Sequence, residues 1–427
     1  MAEVWVFVFL FGLLFLTLPI FASLACCVLI AILTLTDVPS VIVAQRMFSG
    51  MDNFTLMAIP FFILAADLMR FGGISQRLIQ FAKVLVGWIS GGLAMAGVMA
   101  CAFFAAISGS SPATVAAIGS LMIPALIGAG YDKHFSVGLL TTAGSLGILI
   151  PPSITFILYG AVTGTSIGEL FIAGFLPGIF FSILFMIYCY IHAKRRGHQP
   201  SPRPSLKEVW VAFKGASWGL GMPVLILGGI YTGIFTPTEA AAVAVAYGFI
   251  VGVVVYRELG WKEVKEIFCS SGLLSASLLL ITAGASSFSW LIASQGMPTR
   301  IAGTILDISQ NPIWVLFLIN ILLLITGCFL DGASAVIILA PLLYSMVTKL
   351  GVNPVHFGVI MIVNMEVGMM TPPVGLNLFV GSGIAKMPLM EVVKAVIPTL
   401  LIMVAGLFFL TYVPEISLLL PKLFYGK

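Results

Sequence analysis

The sequence predicts an all-α polytopic membrane protein, built as inverted repeats with two re-entrant helical hairpins and two discontinuous helices. Three observations carry that prediction. Apolar residues make up 60% of the 427 positions and charged residues only 8%, whereas a soluble domain carries about 25% charged residues. The mean hydropathy is +1.15, and the length allows roughly ten passes of ~20 residues. Two distant stretches also carry the same unusual sentence. ISGSSPATVAAIG is followed by GILIPPSIT, and FLDGASAVIIL by GMMTPPVGLN. Ser108 to Pro151 spans 43 residues and Asp331 to Pro372 spans 41, and both pairs end in Gly-x-x-x-Pro-Pro at Gly147–Pro152 and Gly368–Pro373. Gly, Ser and Pro at membrane depth leave backbone groups that lipid cannot satisfy, so such segments survive where they line a protein-enclosed site. A matched pair in two halves points to a binding site at the midplane.

Taken in order, apolar runs predict helices over 4–34, 54–70, 133–162, 167–193, 217–234, 237–256, 271–294, 354–384 and 389–413. The segments 92–129 and 311–349 are each broken near the middle by small polar residues and read as re-entrant hairpins. The Pro-Pro breaks make 133–162 and 354–384 discontinuous. Amphipathic pieces at 74–90 and 298–308 read as helices lying at the interface. The opening stretch MAEVWVFVFLFGLLF lacks a basic flank and outruns a signal h-region, so it reads as a retained helix. Residues 4–193 and 237–413 repeat one order: two spans, interfacial helix, hairpin, broken helix, final span. The span 217–234 between them inverts the second copy.

Charge placement fits this map. With the hydrophilic linker 194–208 (KRRGHQPSPRPSLKE) in the cytoplasm, 15 of the 20 Lys and Arg residues fall inside and 5 outside, as the positive-inside rule requires. The map has nine full crossings, a cytoplasmic N-terminus and a periplasmic C-terminus. The formal charge of +4 is small, and no basic run is interleaved with aromatics, which excludes nucleic acid as a partner; the surrounding partner is membrane lipid. The six cysteines sit in apolar contexts without metal spacing and read as small buried hydrophobes. No nucleophile–base pair, phosphate loop or zinc pattern is present, so the chain is not read as an enzyme. Without a Walker motif, it is not read as an ATP-driven pump.

The chemistry concentrates at the hairpin tips. Ser108, Gly109, Ser110 and Ser111 form a cluster whose hydroxyls and free carbonyls are hard oxygen ligands suited to Na⁺. Pro151 and Pro152, which have no N–H, free further carbonyls, and Gly147 permits close backbone passage. Ser111 reads equally as the cap of the returning helix. The second half offers Asp331, Gly332, Ala333 and Ser334 against Gly368, Thr371 and Pro372. Asp331 is a carboxylate inside a membrane hairpin, where ionisable groups are costly and commonly functional; its other reading is an N-cap. Glu239 reads as a capping-box residue with Thr236, and Glu366 lies near the expected site without an assigned role. Asp67 and Arg70 read as interfacial, and Arg300 as a membrane anchor or an anion contact. His134 and His356 read as helix-start residues.

These motifs, SGSSPATVAAIGSLMIPAL at 108–126, GSLGILIPPS at 144–153, GIFTPTEAAAVA at 233–244 and GMMTPPVGLNLFV at 368–380, make the whole chain resemble the large membrane subunit of tripartite ATP-independent periplasmic (TRAP) transporters. The resemblance implies an elevator mechanism and sodium-coupled uptake of an organic acid (sialic acid or another carboxylate) across the bacterial inner membrane. It implies two partners, a small four-helix membrane subunit and a periplasmic solute-binding protein; the small subunit is expected as a separate chain. It divides the chain into scaffold and interfacial arm (1–90), transport-domain half 1 (91–193), linker (194–216), second scaffold and arm (217–310) and transport-domain half 2 (311–427). Carried over by motif, one Na⁺ site uses Ser108, Ser111, Gly147, Ile150 and Pro152, the other Gly332, Gly368, Thr371 and Val374. Ile150, Pro152 and Val374 can serve through backbone carbonyls alone. Substrate is expected near Ser110, Thr155, Asp331 and Asn377, with Arg300 as a further contact. A stand-alone sodium/anion symporter of the divalent-anion type would share the hairpins and sites without needing a binding protein, and stays open at this point.

Overall fold

The computed structural model describes residues 2–16, 18–36, 38–297, 300 and 311–426. The described residues are helical or irregular, with no strand among them. Among the described residues, eight helices are long and apolar enough to cross a membrane, and a ninth span is completed by Lys133–Leu149 and Ile154–Thr163, which bend by 42° at the first Pro-Pro break. Both Pro-Pro bonds, Pro151–Pro152 and Pro372–Pro373, are cis.

The order of elements follows the sequence expectation from residue 54 onward. Phe54–Phe71 is followed by the amphipathic helix Ile74–Val86. The first hairpin pairs Gly92–Ser108 with Ser111–Gly128. The first broken helix and Ile167–Arg196 come next. In the second half, Pro237–Val255 and Trp261–Ser294 precede the hairpin Pro312–Gly327 and Gly332–Lys349. The second broken helix, Pro354–Gly368 and Leu376–Ala385, leads to Leu389–Tyr412. The interfacial helix expected at 298–308 lies outside the described residues except for Arg300.

Four expectations are corrected. The run 4–34 is not one span: Ala2–Phe15 and Ile20–Leu35 are separate helices. They fold back on each other, since the Cys27 thiol donates to the Val6 carbonyl at 3.2 Å. Pro19 is the N-cap of the second helix, and its missing N–H ends the first. The alternation that put the N-terminus inside counted this segment as a single crossing, so that step of the topology falls. Second, Val41–Met51 and the C-terminal Glu415–Tyr425 are helices that hydropathy did not mark as spans. Third, two spans start earlier than their apolar runs, at Leu206 and Trp261. At the first, Ser205 and Glu208 form a capping box, Glu208 Oε2 accepting from Ser205 N at 2.7 Å, which propagates helix into the polar linker. Fourth, Cys26 and Cys269 are exposed, while Cys27, Cys101 and Cys189 are buried. Where lipid is the solvent, an apolar residue has no need to face inward.

The halves interlock through small residues, as membrane packing favours. Between the halves, a Cβ on Gly138 would strike the Ala395 carbonyl; within the second half, one on Gly368 would strike the Gly327 backbone. Thr142 and Thr399 hydroxyls meet at 2.7 Å between the first broken helix and the last span. Elsewhere, Arg77 of the amphipathic helix pairs with Glu258 at 2.7 Å and lies 3.8 Å from the Tyr256 ring centroid. That contact ties the amphipathic helix Ile74–Val86 to the loop between Pro237–Val255 and Trp261–Ser294.

Candidate functional site

The first hairpin tip is built by its own sequence. Gly109 takes φ +58°, a left-handed turn that glycine allows, and its Cα packs so closely on Pro152 that a Cβ would lie 2.8 Å from the Pro152 carbonyl. Ile154 N donates to Gly109 O at 3.4 Å, so the tip is fastened to the Pro-Pro turn. The Ser108 hydroxyl lies 2.8 Å from the Thr114 hydroxyl, which donates to Ser110 O at 2.9 Å. A Cβ on Gly147 would strike Ser110 O, which accounts for a glycine there. Ser108, Ser111, Gly147 and Pro152 are thereby brought together, and Ile150 is buried at the same break. Ser111 opens the returning helix, but no side-chain cap bond is made at that helix start.

The second tip repeats this design with different chemistry. Asp331 Oδ2 accepts from Ala333 N at 3.1 Å and Ser334 N at 3.2 Å, and Oδ1 accepts from the Ser334 hydroxyl. It is an N-cap, as one of its two sequence readings has it. Val374 N donates to Cys328 O at 3.1 Å, and Thr371 Oγ1 donates to Val367 O at 2.7 Å. Gly332 lies against Met365 and Met369, and Gly368 against Gly327. Gly332, Gly368, Thr371 and Val374 therefore gather around one turn. Glu239 makes its expected capping box with Thr236. His356 does more than start a helix: its ring nitrogens lie 2.6 Å from Ser417 Oγ and 3.2 Å from Thr411 O.

Between the tips lies a chamber of about 650 Å³, lined by Ser108, Ser110, Ser111, Thr155 and Asp331 together with Asp67 and Arg70. Three of the five residues expected at substrate, Ser110, Thr155 and Asp331, share this chamber. Asn377 is not in its wall; it is fully buried and donates from Nδ2 to Ser111 Oγ at 2.6 Å. Arg300 is exposed, its guanidinium donating to Gln295 O at 2.7 Å, and it is not in the chamber wall either.

Asp67 and Arg70 are the residues that sequence reasoning missed. They stand three apart in Phe54–Phe71, so both point to one helix face. Asp67 Oδ2 accepts from Ser271 Oγ at 2.8 Å, and Arg70 lies 4.9 Å from the Phe71 ring centroid. Their nearness to a helix end argued for the interface. The i, i+3 spacing of opposite charges in an otherwise uncharged span was the available signal.

Comparison with known proteins agrees with this architecture. The family described as "Tripartite ATP-independent periplasmic transporter, DctM component" matches residues 7–416. The C4-dicarboxylate TRAP transporter large permease protein DctM of Rhodobacter capsulatus is 45% identical, covering 99% of each chain. The sialic acid TRAP transporter large permease protein SiaM of Vibrio cholerae is 39% identical, covering 97% of each. An isethionate TRAP transporter permease protein, DctMQ, of Oleidesulfovibrio alaskensis is 44% identical over 94% of this chain but only 63% of its own length. Among solved structures, the Alcanivorax borkumensis YdaH transporter has a TM-score of 0.63 at 15% identity, covering 90% of this chain and 88% of that one; this is a likeness of fold. With the match spanning nearly its full length, the chain belongs to the DctM family, the large permease component of tripartite ATP-independent periplasmic transporters, and is a multi-pass membrane transport subunit, not an enzyme.

Proposed function

We propose that this permease carries a small carboxylate across the bacterial inner membrane, driven by sodium. The observation that supports it is that both hairpin tips line one chamber, whose wall also holds Ile148, Ile154, Met369 and Leu376 from the flanks of the two Pro-Pro turns. Ser108, Ser110, Ser111 and Thr155 bring hydroxyls to its wall, and such hard oxygens are the ligands a hard cation takes. Arg70 in the chamber wall offers a substrate carboxylate a partner from the scaffold. A dicarboxylate is favoured over sialic acid, because the DctM relative named for C4-dicarboxylates is the more similar one. In this reading residues 91–193 and 311–427 carry substrate as a re-entrant, elevator-type transport domain. Residues 1–90 and 217–310 form the scaffold. A small membrane subunit covers part of the apolar scaffold surface, and a periplasmic binding protein delivers substrate.

Reconstitution tests this. Proteoliposomes holding the chain, the small subunit and a substrate-loaded binding protein are expected to take up labelled C4-dicarboxylate under an inward sodium gradient. Omission of either partner is expected to reduce uptake to background. Robust uptake of free substrate by this chain alone would instead establish the stand-alone symporter.

The sodium assignment has its own test. Ser108→Ala and Ser111→Ala are each expected to raise the sodium concentration for half-maximal uptake several-fold while leaving protein yield intact. Each removes one oxygen ligand, and the lost interaction, about 1 kcal/mol, corresponds to roughly fivefold. Unchanged sodium dependence in both variants would remove the first site.

A further inference from the structure

One buried carboxyl is unused by everything above. Glu366 lies two residues before Gly368 on the second broken helix and is fully buried. Neither Oε1 nor Oε2 has a hydrogen-bond partner. The polar side chains that reach it are Ser111 and Asn377, and neither meets it in hydrogen-bond geometry. Asn377, equally buried, commits its Nδ2 to Ser111 Oγ at 2.6 Å, and its Oδ1 has no partner either. Three bare acceptor oxygens therefore share a closed seam between the first hairpin and the second broken helix. The Arg77–Glu258 ion pair is elsewhere.

Bare acceptors in such a place are expensive. An unpaired buried polar group is destabilising, and a charged one more so. A cluster that is rich in hard oxygens and poor in donors has the composition of a cation site. Ser111 Oγ completes it: a hydroxyl oxygen has two acceptor lone pairs, and Asn377 occupies only one.

We infer that Glu366 and the Asn377 Oδ1 are ligands of a hard monovalent cation, shared with Ser111 Oγ. The inference rests on the sodium reading above and deepens it. The first-half site, as carried over by motif, is made of neutral oxygens alone. Glu366 gives it an anionic ligand, contributed by the other half of the chain. One carboxylate balances one monovalent ion, whereas a divalent ion would leave a net charge buried in a low dielectric, which is unfavourable. The bound ion then clamps the first hairpin to the second Pro-Pro turn, so sodium occupancy in one half restrains the other.

The test uses the purified full-length chain in detergent and needs neither partner nor transport. Its melting temperature is followed against NaCl, with choline chloride holding ionic strength constant. A ligand that binds only the folded state raises stability as its concentration passes the dissociation constant. Wild type is expected to show a saturable sodium-specific rise. Glu366→Gln, which keeps the shape and removes the charge, is expected to shift half-saturation at least tenfold upward. A sodium response in Glu366→Gln equal to wild type overturns this inference and leaves the sodium reading standing. A wild type with no sodium response overturns both. If Glu366→Gln is not monodisperse, Glu366→Asp keeps the charge and draws the oxygens back by one methylene. Half-saturation unchanged in that variant overturns the inference equally.

Discussion

Gly368→Ala is expected to abolish sodium-driven uptake. The glycine faces the backbone of Gly327, and an added Cβ would overlap its Cα, carbonyl carbon and oxygen. No flexible side chain is available to move aside; one of two main chains has to shift. Overpacking of this kind costs ~1–3 kcal/mol, and every ~1.4 kcal/mol is tenfold in population. The shift falls on the turn that carries Thr371 and Val374, whose N–H holds Cys328 O at 3.1 Å. Uptake in proteoliposomes is expected below about a tenth of wild type, with a lower melting temperature. Gly272→Ala is the control: nothing lies within 4 Å of its Cβ position, so its uptake is expected to match wild type. Equal uptake by Gly368→Ala would show that the turn yields freely and that close backbone contact is not what holds it.

The Asp331 pair separates capping from substrate contact. Asp331→Asn retains a side-chain oxygen for Ala333 N and Ser334 N, because Asn is as good an N-cap as Asp. It removes only the charge that faces the chamber. Asp331→Ala removes both, at a cost of about 0.5–2 kcal/mol in helix stability. Uptake is expected to fall strongly in both variants, while the melting temperature drops in Asp331→Ala alone. Wild-type uptake by both would leave Asp331 with neither role. If only Asp331→Ala fails, the cap accounts for the residue entirely.

Much of this protein was legible in the residues because the membrane narrows the choices. Lipid cannot hydrogen-bond a backbone, so long apolar runs become helices and polar breaks mark protein-lined interiors. That logic located both hairpins and both Pro-Pro breaks, and the duplicated motif placed them in matched halves. Hydropathy failed where a helix end depends on something else. Pro19 split one long apolar run into a folded-back pair, and the Ser205–Glu208 box carried a helix into polar sequence.

Tertiary structure alone decided which residues face one another. Asp67 and Arg70 looked like the end of a span until packing put them in the chamber wall with Ser110, Thr155 and Asp331. Arg300, an equally plausible anion contact in one dimension, turns to its own backbone neighbour Gln295. Asn377 leaves the chamber and reaches Ser111, 266 positions earlier, beside the buried Glu366. Local composition determines which segments are helical, where they break and which oxygens they free, because those are questions of backbone solvation within one stretch of chain. The meeting of Ser111 with Glu366 and Asn377 is set by how the first half packs on the second, through the Asn377–Ser111 hydrogen bond and the close approach of Gly138 to the Ala395 backbone, and no single stretch encodes such an approach.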